Sequence, residues 1–173
     1  MSEIGVKFDR YENSELIGEG TSAKAYLVEP NCDAPDEELV CKVLKPESHA
    51  LETYHGTLEE KSLLMNRVTK ILKRHLGDYL LDGFFTVGLD EKGHETIMML
   101  QEPISGKRLR DIWPRSEGIL QQHNDIKDRV EGLKADKEFQ ELPDFVNGNA
   151  QNEFTYDENI MVLPNGKLII YDW

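Results

Sequence analysis

The sequence predicts an α+β fold, in which five candidate strands and one long helix precede a mostly helical segment and a final β-hairpin. Three observations support this prediction. Short apolar or alternating runs bounded by Gly, Pro, Asn and Asp indicate strands. One segment repeats its apolar residues every four positions, as a helix with one buried face does. A Pro-Asn-Gly turn between two apolar runs indicates a hairpin near the end of the chain.

Turn residues separate the five candidate strands, which are residues 14–17, 23–28, 39–44, 83–88 and 95–100. Between the third and fourth of them, residues 57–76 form the predicted amphipathic helix, because their apolar side chains recur on one side. Thr57 is the expected N-cap, and Glu60 three positions later completes a capping box. Gly77 and Asp78 are expected to end this helix.

The C-terminal part is predicted to contain a short helix over residues 109–113 and a longer, mostly polar helix over residues 119–141. Residues 142–153, which are rich in Asn and Gly, indicate a loop. Two apolar runs, residues 160–163 and 167–171, flank the Pro-Asn-Gly turn and predict the hairpin.

The composition limits the possible functions. With 20 Lys and Arg against 33 Asp and Glu, the net charge of −13 argues against a general nucleic-acid binder, but it is compatible with a local cationic site for a nucleotide. No apolar run is long enough to predict a membrane span, and the first residues lack a secretory signal. Cys32 and Cys41 have no histidine at ligand spacing, so ordinary thiols are expected. We therefore expect a cytoplasmic location, or delivery to a host cytosol if the protein is an effector.

Two segments of the N-terminal part carry residues suited to phosphate binding. Gly18 and Gly20, followed by Ser22, lie between two candidate strands. They form either an ordinary tight turn or a loop whose backbone N–H groups approach a phosphate. Lys42 stands inside an apolar strand. It is either an edge lysine whose ammonium reaches water, or a lysine that binds a phosphate and pairs with a carboxylate such as Glu60.

Asn159 and Asp172 stand at the two ends of the hairpin sequence, and pairing of its strands would bring them together. They are either a turn asparagine and a strand-end aspartate, or an oxygen pair that binds Mg²⁺. Magnesium in proteins takes one or two carboxylates together with the phosphates of the substrate.

The order of these features resembles the protein-kinase-like superfamily, with some similarity to its aminoglycoside and choline phosphotransferase branch. Gly18 and Gly20 resemble the glycine-rich loop with its third glycine replaced, and Ser22 lies in the same loop. Lys42 in Leu-Val-Cys-Lys resembles the strand lysine, and Glu60 resembles the helix glutamate that pairs with it.

The resemblance implies a fold and a set of ligands. A lobe of about residues 12–102 holds a five-stranded antiparallel sheet with one main helix, and residues 103–173 form the hinge and a reduced helical lobe. ATP lies between the two lobes. Backbone groups of Glu102 and Ile104, within the hinge-like Gln-Glu-Pro-Ile-Ser-Gly, hold the adenine edge. Asn159 and Asp172 match the magnesium ligands of the family.

Two departures from the family pattern affect the predicted activity. The catalytic base of the family stands five residues before the asparagine, and here that residue is Phe154, which cannot accept a proton. Asp157 is ranked narrowly above Glu153 as a substitute base, although a turn-stabilising role for Asp157 is at least as well supported. The sequence stops at Asp172-Trp173, so either the fold is a minimal kinase or the chain is shortened.

Two hypotheses about function follow. The first is an ATP-dependent phosphotransferase of atypical minimal protein-kinase type that acts on a protein substrate, with Lys42, Glu60 and Asp157 as catalytic residues. The second is a pseudokinase, which serves as a nucleotide-binding or interaction module without catalysis. Phe154 favours the second hypothesis, whereas the set of polar residues at the family positions favours the first. Neither hypothesis involves a nucleic acid or a membrane.

Overall fold

A computed structural model describes residues 15–28, 38–48, 51–52, 54–142 and 154–172. The chain divides into two compact units. The first unit comprises residues 1–67 and 82–103, and the second comprises residues 68–81 and 104–173. Several features of the sequence analysis lie outside the described residues, namely Cys32, most of the loop over residues 142–153 including Glu153, and Trp173.

The first unit is built on a five-stranded sheet in which every neighbouring pair is antiparallel. Its strands are β1 (Glu15–Glu19), β2 (Ala23–Val28), β3 (Leu39–Leu44), β4 (Gly83–Leu89) and β5 (Glu95–Gln101). They lie in the order β1-β2-β3-β5-β4. The predicted α+β class and five-stranded antiparallel sheet are therefore confirmed.

The core on one face of this sheet follows from the alternation of apolar residues along the strands. Cys41 and Val43 of β3 are buried there together with apolar side chains of β2 and β5, which are Tyr26, Val28, Met98 and Leu100. Cys41 is completely buried, as expected for a core thiol. Because side chains alternate between the two faces of a strand, Lys42 lies on the opposite face, and it is half-buried.

The predicted amphipathic helix is present as α1 (Leu58–Leu76). Its capping box forms as predicted: the Glu60 carboxylate accepts from the Thr57 amide at 2.8 Å, and the Glu60 amide donates to Thr57 Oγ1 at 3.2 Å. Gly56 precedes this cap with φ of +109°, and a Cβ there would lie 2.5 Å from Glu60 Oε2. At the other end, Gly77 adopts φ of +56° and begins a 3₁₀ turn over Gly77–Tyr79, which ends the helix as predicted.

The second unit contains the helices α2 (Glu117–Lys134) and α3 (Lys137–Gln140) and a three-stranded antiparallel sheet. The sheet comprises β6 (Lys107–Arg108), β7 (Ile160–Val162) and β8 (Leu168–Ile170), in that order. The predicted C-terminal hairpin is thus confirmed as β7 and β8. The pairing of β6 with β7 was not predicted.

Two helix predictions for the second unit are wrong in detail. The short helix expected over residues 109–113 is a 3₁₀ turn of three residues, Leu109–Asp111. The helix expected over residues 119–141 is interrupted after Lys134, because Asp136 caps a new helix by accepting from the amides of Glu138 and Phe139. A side chain that caps one helix competes with continuation of the helix before it.

Side-chain bonds and a close backbone approach hold the hairpin within the second unit. Gln122 of α2 donates to the Gly166 carbonyl at 2.9 Å and accepts from the Leu168 amide at 3.0 Å. Gly106 lies so close to β7 that a Cβ there would overlap the Val162 carbonyl oxygen and lie 2.8 Å from Met161 Cγ. No helix in the described ranges is both long and apolar enough to cross a membrane.

Candidate functional site

The glycine-containing turn links β1 to β2 and is exposed along its whole length. Its backbone is closed by bonds from the Gly20 amide to the Ala23 carbonyl and from the Lys45 amide to the Ser22 carbonyl, both 2.9 Å. Gly18 follows an irregularity in the register of β1, and a Cβ added to it would meet no atom within 4 Å in the described part of the chain. Packing within the described residues does not explain the choice of glycine at position 18.

An ion pair that the sequence analysis missed flanks this turn. Lys45 Nζ lies 2.7 Å from Glu19 Oε1, and the lysine side chain is 19% exposed. The hydrogen bond from Lys45 lowers the pKa of the Glu19 carboxyl below its ordinary value. The position of Lys45, directly after an apolar strand that already contains Lys42, is the signal that would have identified it.

Lys42 occupies the middle of the sheet. Its Cα partners are Ala25 on β2 and Met99 on β5, so β3 has a neighbour on each side and is not an edge strand. The alternative of an edge lysine is therefore wrong. Lys42 is half-buried as a residue. If its ammonium group is buried as well, an acceptor or a negative charge must compensate it.

Glu60, the predicted partner of Lys42, uses its carboxylate in the capping box with Thr57 and is exposed. Only Oε2 of the Glu60 carboxylate takes part in the cap. The Lys42–Glu60 ion pair stays a prediction for an active-like conformation.

The two hinge residues belong to different units. Glu102 is exposed and follows Gln101, the buried last residue of β5. Ile104 is half-buried and begins the second segment of the second unit. Their predicted backbone bonds to adenine stay a prediction.

The predicted oxygen pair lies at one end of the hairpin of the second unit. The Tyr171 amide donates to the Asn159 carbonyl at 3.1 Å, which extends the pairing of Ile160 with Ile170 by one step. Asp172 is the next residue and is exposed. In the described ranges, no group of three or more His, Cys, Asp or Glu side chains could hold a metal ion. An amide oxygen and one carboxylate suit Mg²⁺ when phosphates supply further ligands.

The loop before Asn159 places Phe154, the residue at the predicted base position, in the core. Phe154 is only 1% exposed. Asp157, the predicted substitute base, is half-buried, and its Oδ2 forms a short ion pair with Arg115 Nη2. His123 of α2 approaches the same carboxylate, with Nε2 3.5 Å from Asp157 Oδ1 and 3.4 Å from the Thr155 carbonyl oxygen.

The sequence analysis missed both partners of Asp157. Burial lowers the pKa of the His123 imidazole below its ordinary value, which favours the neutral ring. The position of His123 one turn before Ile126 on the buried side of α2 was the available signal, because a histidine on an apolar face requires a polar partner. No comparable signal identified Arg115, which lies in an irregular segment before α2.

Comparison with protein-family models and with curated proteins finds no match for this chain. The resemblance to protein kinases consequently depends on the residues and their order.

Proposed function

We propose that this chain is an ATP-dependent phosphotransferase of atypical minimal protein-kinase type that acts on a protein substrate. The observation that carries the proposal is the backbone bond between Tyr171 and Asn159, which brings Asn159 and Asp172 to the same end of the hairpin. An oxygen pair in this arrangement fits Mg²⁺ that is also bound by nucleotide phosphates. The interior position of Lys42 provides independent support.

Each predicted residue has a definite task in this proposal. The backbone at Gly18, Gly20 and Ser22 approaches the phosphates, and the Lys42 ammonium neutralises part of their charge. Backbone groups of Glu102 and Ile104, the predicted hinge residues, bind the adenine edge. Asn159 and Asp172 hold Mg²⁺, which when bound neutralises charge on the transferred phosphoryl group.

The transfer itself forms a bond between an acceptor hydroxyl oxygen and the γ-phosphorus and breaks the bond from that phosphorus to the ADP oxygen. The hydroxyl proton passes to an oxygen of the transferred phosphoryl group or to water, because no side chain is assigned here as its acceptor. Positioning and charge neutralisation provide most of the catalysis of phosphoryl transfer, whereas a general base contributes roughly 10²–10⁴-fold. We therefore expect a protein without a base at position 154 to transfer phosphate slowly.

A second candidate function, a nucleotide-binding pseudokinase, is favoured by two observations. Phe154 is buried where the family has its base, and Arg115 engages Asp157, the nearest described substitute. In this case the chain binds Mg-ATP and acts through partners rather than through transfer.

The first experiment is calorimetric titration with Mg-ATP of the wild type and the Asp172→Ala and Lys42→Met variants. We expect at least tenfold weaker binding for both, which corresponds to about 1.4 kcal/mol or more. Asp172→Ala should also lose the dependence of affinity on Mg²⁺. Asp128→Ala, which removes an exposed carboxylate from α2, is the matched control and should bind as the wild type does. Unchanged affinity and metal dependence in Asp172→Ala would remove Asp172 from the site.

The second experiment separates the two functions. Radiolabelled ATP is incubated with the wild type, Asp157→Ala, Glu153→Ala and Asp172→Ala, and incorporation is measured into the protein itself and into a mixed peptide array. Incorporation that Asp172→Ala abolishes supports the phosphotransferase. Mg-ATP binding without incorporation in any of these proteins supports the pseudokinase.

A further inference from the structure

We infer that Arg115 and His123 are positioning residues. They hold the loop over residues 154–159, and thereby keep Asn159 where it can bind the nucleotide-bound metal ion. In this inference Asp157 is the residue that both side chains contact to hold the loop, and it is not the catalytic base. The inference rests on the proposed function, because it assigns Asn159 to the nucleotide-bound metal.

Arg115 fastens the loop to the segment before α2. Its Nη2 contacts Asp157 Oδ2 and also donates to the Leu109 carbonyl at 3.4 Å, and its side chain is 16% exposed. The buried Nε of Arg115 has no hydrogen-bond partner in the structure described. An unsatisfied buried donor is unfavourable. The Arg115 guanidinium thus contacts Asp157 through Nη2 while its Nε–H stays without a hydrogen-bond partner.

His123 fastens the same loop to α2. The residue is 7% exposed, and its Nε2 faces both the Thr155 carbonyl and Asp157 Oδ1. Since both of these neighbours of Nε2 are acceptors, the tautomer with the proton on Nε2 is the one that fits. In that tautomer His123 and Arg115 together place a protein donor opposite each oxygen of the Asp157 carboxylate. A general base must reach the acceptor hydroxyl with a carboxylate oxygen, and here both oxygens already face the protein.

Backbone bonds connect Asp157 to Asn159. The Asn159 amide donates to the Tyr156 carbonyl at 3.0 Å, so residues 156–159 form one turn with Asp157 inside it. The Arg110 amide donates to the Asp157 carbonyl at 3.2 Å and fixes the start of the same turn. Because the turn is short, release of the Asp157 side chain would allow Asn159 to move.

The inference is tested with Arg115→Met, Arg115→Lys and His123→Gln in the full chain. Arg110→Met is the matched control, because it removes an exposed arginine whose Nη1 lies 3.3 Å from Glu158 Oε2 in the same loop. The first measurement is amide hydrogen exchange without nucleotide. We expect Arg115→Met and His123→Gln to accelerate exchange of the Asn159 amide at least tenfold, with no change for amides of β2 and β3. Arg115→Lys should recover part of the protection, and Arg110→Met should match the wild type.

The second measurement is the affinity for ATP with Mg²⁺ and with a chelator. Loss of a residue that orients a metal ligand typically costs 10–100-fold in metal affinity, so Arg115→Met should weaken Mg-ATP binding by about tenfold. Binding of ATP in the chelator should not change. A merely structural role would weaken both affinities together.

Several outcomes would overturn the inference. One is wild-type exchange at Asn159 in both Arg115→Met and His123→Gln, and another is equal weakening of both ATP affinities. A third is an Asp157→Asn variant that loses transfer while keeping wild-type exchange and Mg-ATP affinity, which would make Asp157 the base. If the wild type binds no ATP, the proposed function fails, and the exchange of Asn159 alone decides whether Arg115 and His123 hold the loop.

Discussion

Replacement of Phe154 by aspartate would place a carboxylate where the resemblance to protein kinases predicts the catalytic base, and we predict that this variant gains no activity. Phe154 is 1% exposed, so its ring is fully packed in the second unit. Removal of a buried phenylalanine side chain costs about 3–5 kcal/mol, and an unpaired buried carboxylate adds to this cost. Whole domains have a free energy of unfolding of only about 5–15 kcal/mol.

The expected effect on stability is therefore large. For a chain of this length each kcal/mol lowers the melting temperature by about 2–4 °C, so the loss of the ring alone predicts a decrease of roughly 6–20 °C. Thermal unfolding followed by circular dichroism measures it. Phe154→Asn separates the contribution of the charge from that of the lost ring, and Phe154→Leu, which keeps most of the apolar volume, should lose much less stability.

The same proteins are assayed for transfer from radiolabelled ATP below their melting temperatures. We expect Phe154→Asp to show no increase over the wild type, because its carboxylate cannot reach an acceptor hydroxyl from the core. A Phe154→Asp variant that melts close to the wild type and transfers phosphate faster would refute the reasoning, since position 154 would then face the site.

The remaining predictions concern stability. Gly106→Ala should destabilise the protein by about 1–3 kcal/mol through overlap with Val162 and Met161. Gly132 lies within α2, and among the described residues outside its own helix the one atom within 4 Å of a Cβ there is His75 Nδ1, at 3.9 Å. Gly132→Ala should therefore stabilise the protein by about 0.5–1 kcal/mol in chemical denaturation. The pKa of Asp136 is lowered from 3.8 to about 2, chiefly by the hydrogen bond with His75. A lowered carboxyl pKa contributes stability that is fully present above the unfolded value and is lost as the pH falls from about 4 to about 2. Asp136→Asn should therefore lower stability at neutral pH and flatten its dependence on pH in that window. Stability that falls as steeply in Asp136→Asn as in the wild type would assign the acid sensitivity to other groups.

The sequence by itself determined the elements that form through local contacts. The bounds of α1 follow from the Thr57–Glu60 capping box and from apolar residues four positions apart, and both patterns act within one turn of helix. The hairpin of β7 and β8 likewise follows from a turn in which Gly166 adopts φ of +82°. The strands β2, β3, β4 and β5 were recognisable because short apolar runs between turn residues have few other ways to be buried, whereas every residue of β1 is exposed.

Only the tertiary structure decided the environment of the candidate site residues. The sequence of the strand Leu39–Leu44 is compatible with a position at the edge or in the middle of a sheet. The pairing of β3 with β2 and β5 places Lys42 on an interior strand of the sheet. The strand β6 has no apolar run and forms because Gly106 lets the backbone approach β7 closely. Arg115 contacts Asp157, which lies 42 positions later in the sequence. Local patterns carry no information about such contacts, because their partners come together only when the unit packs.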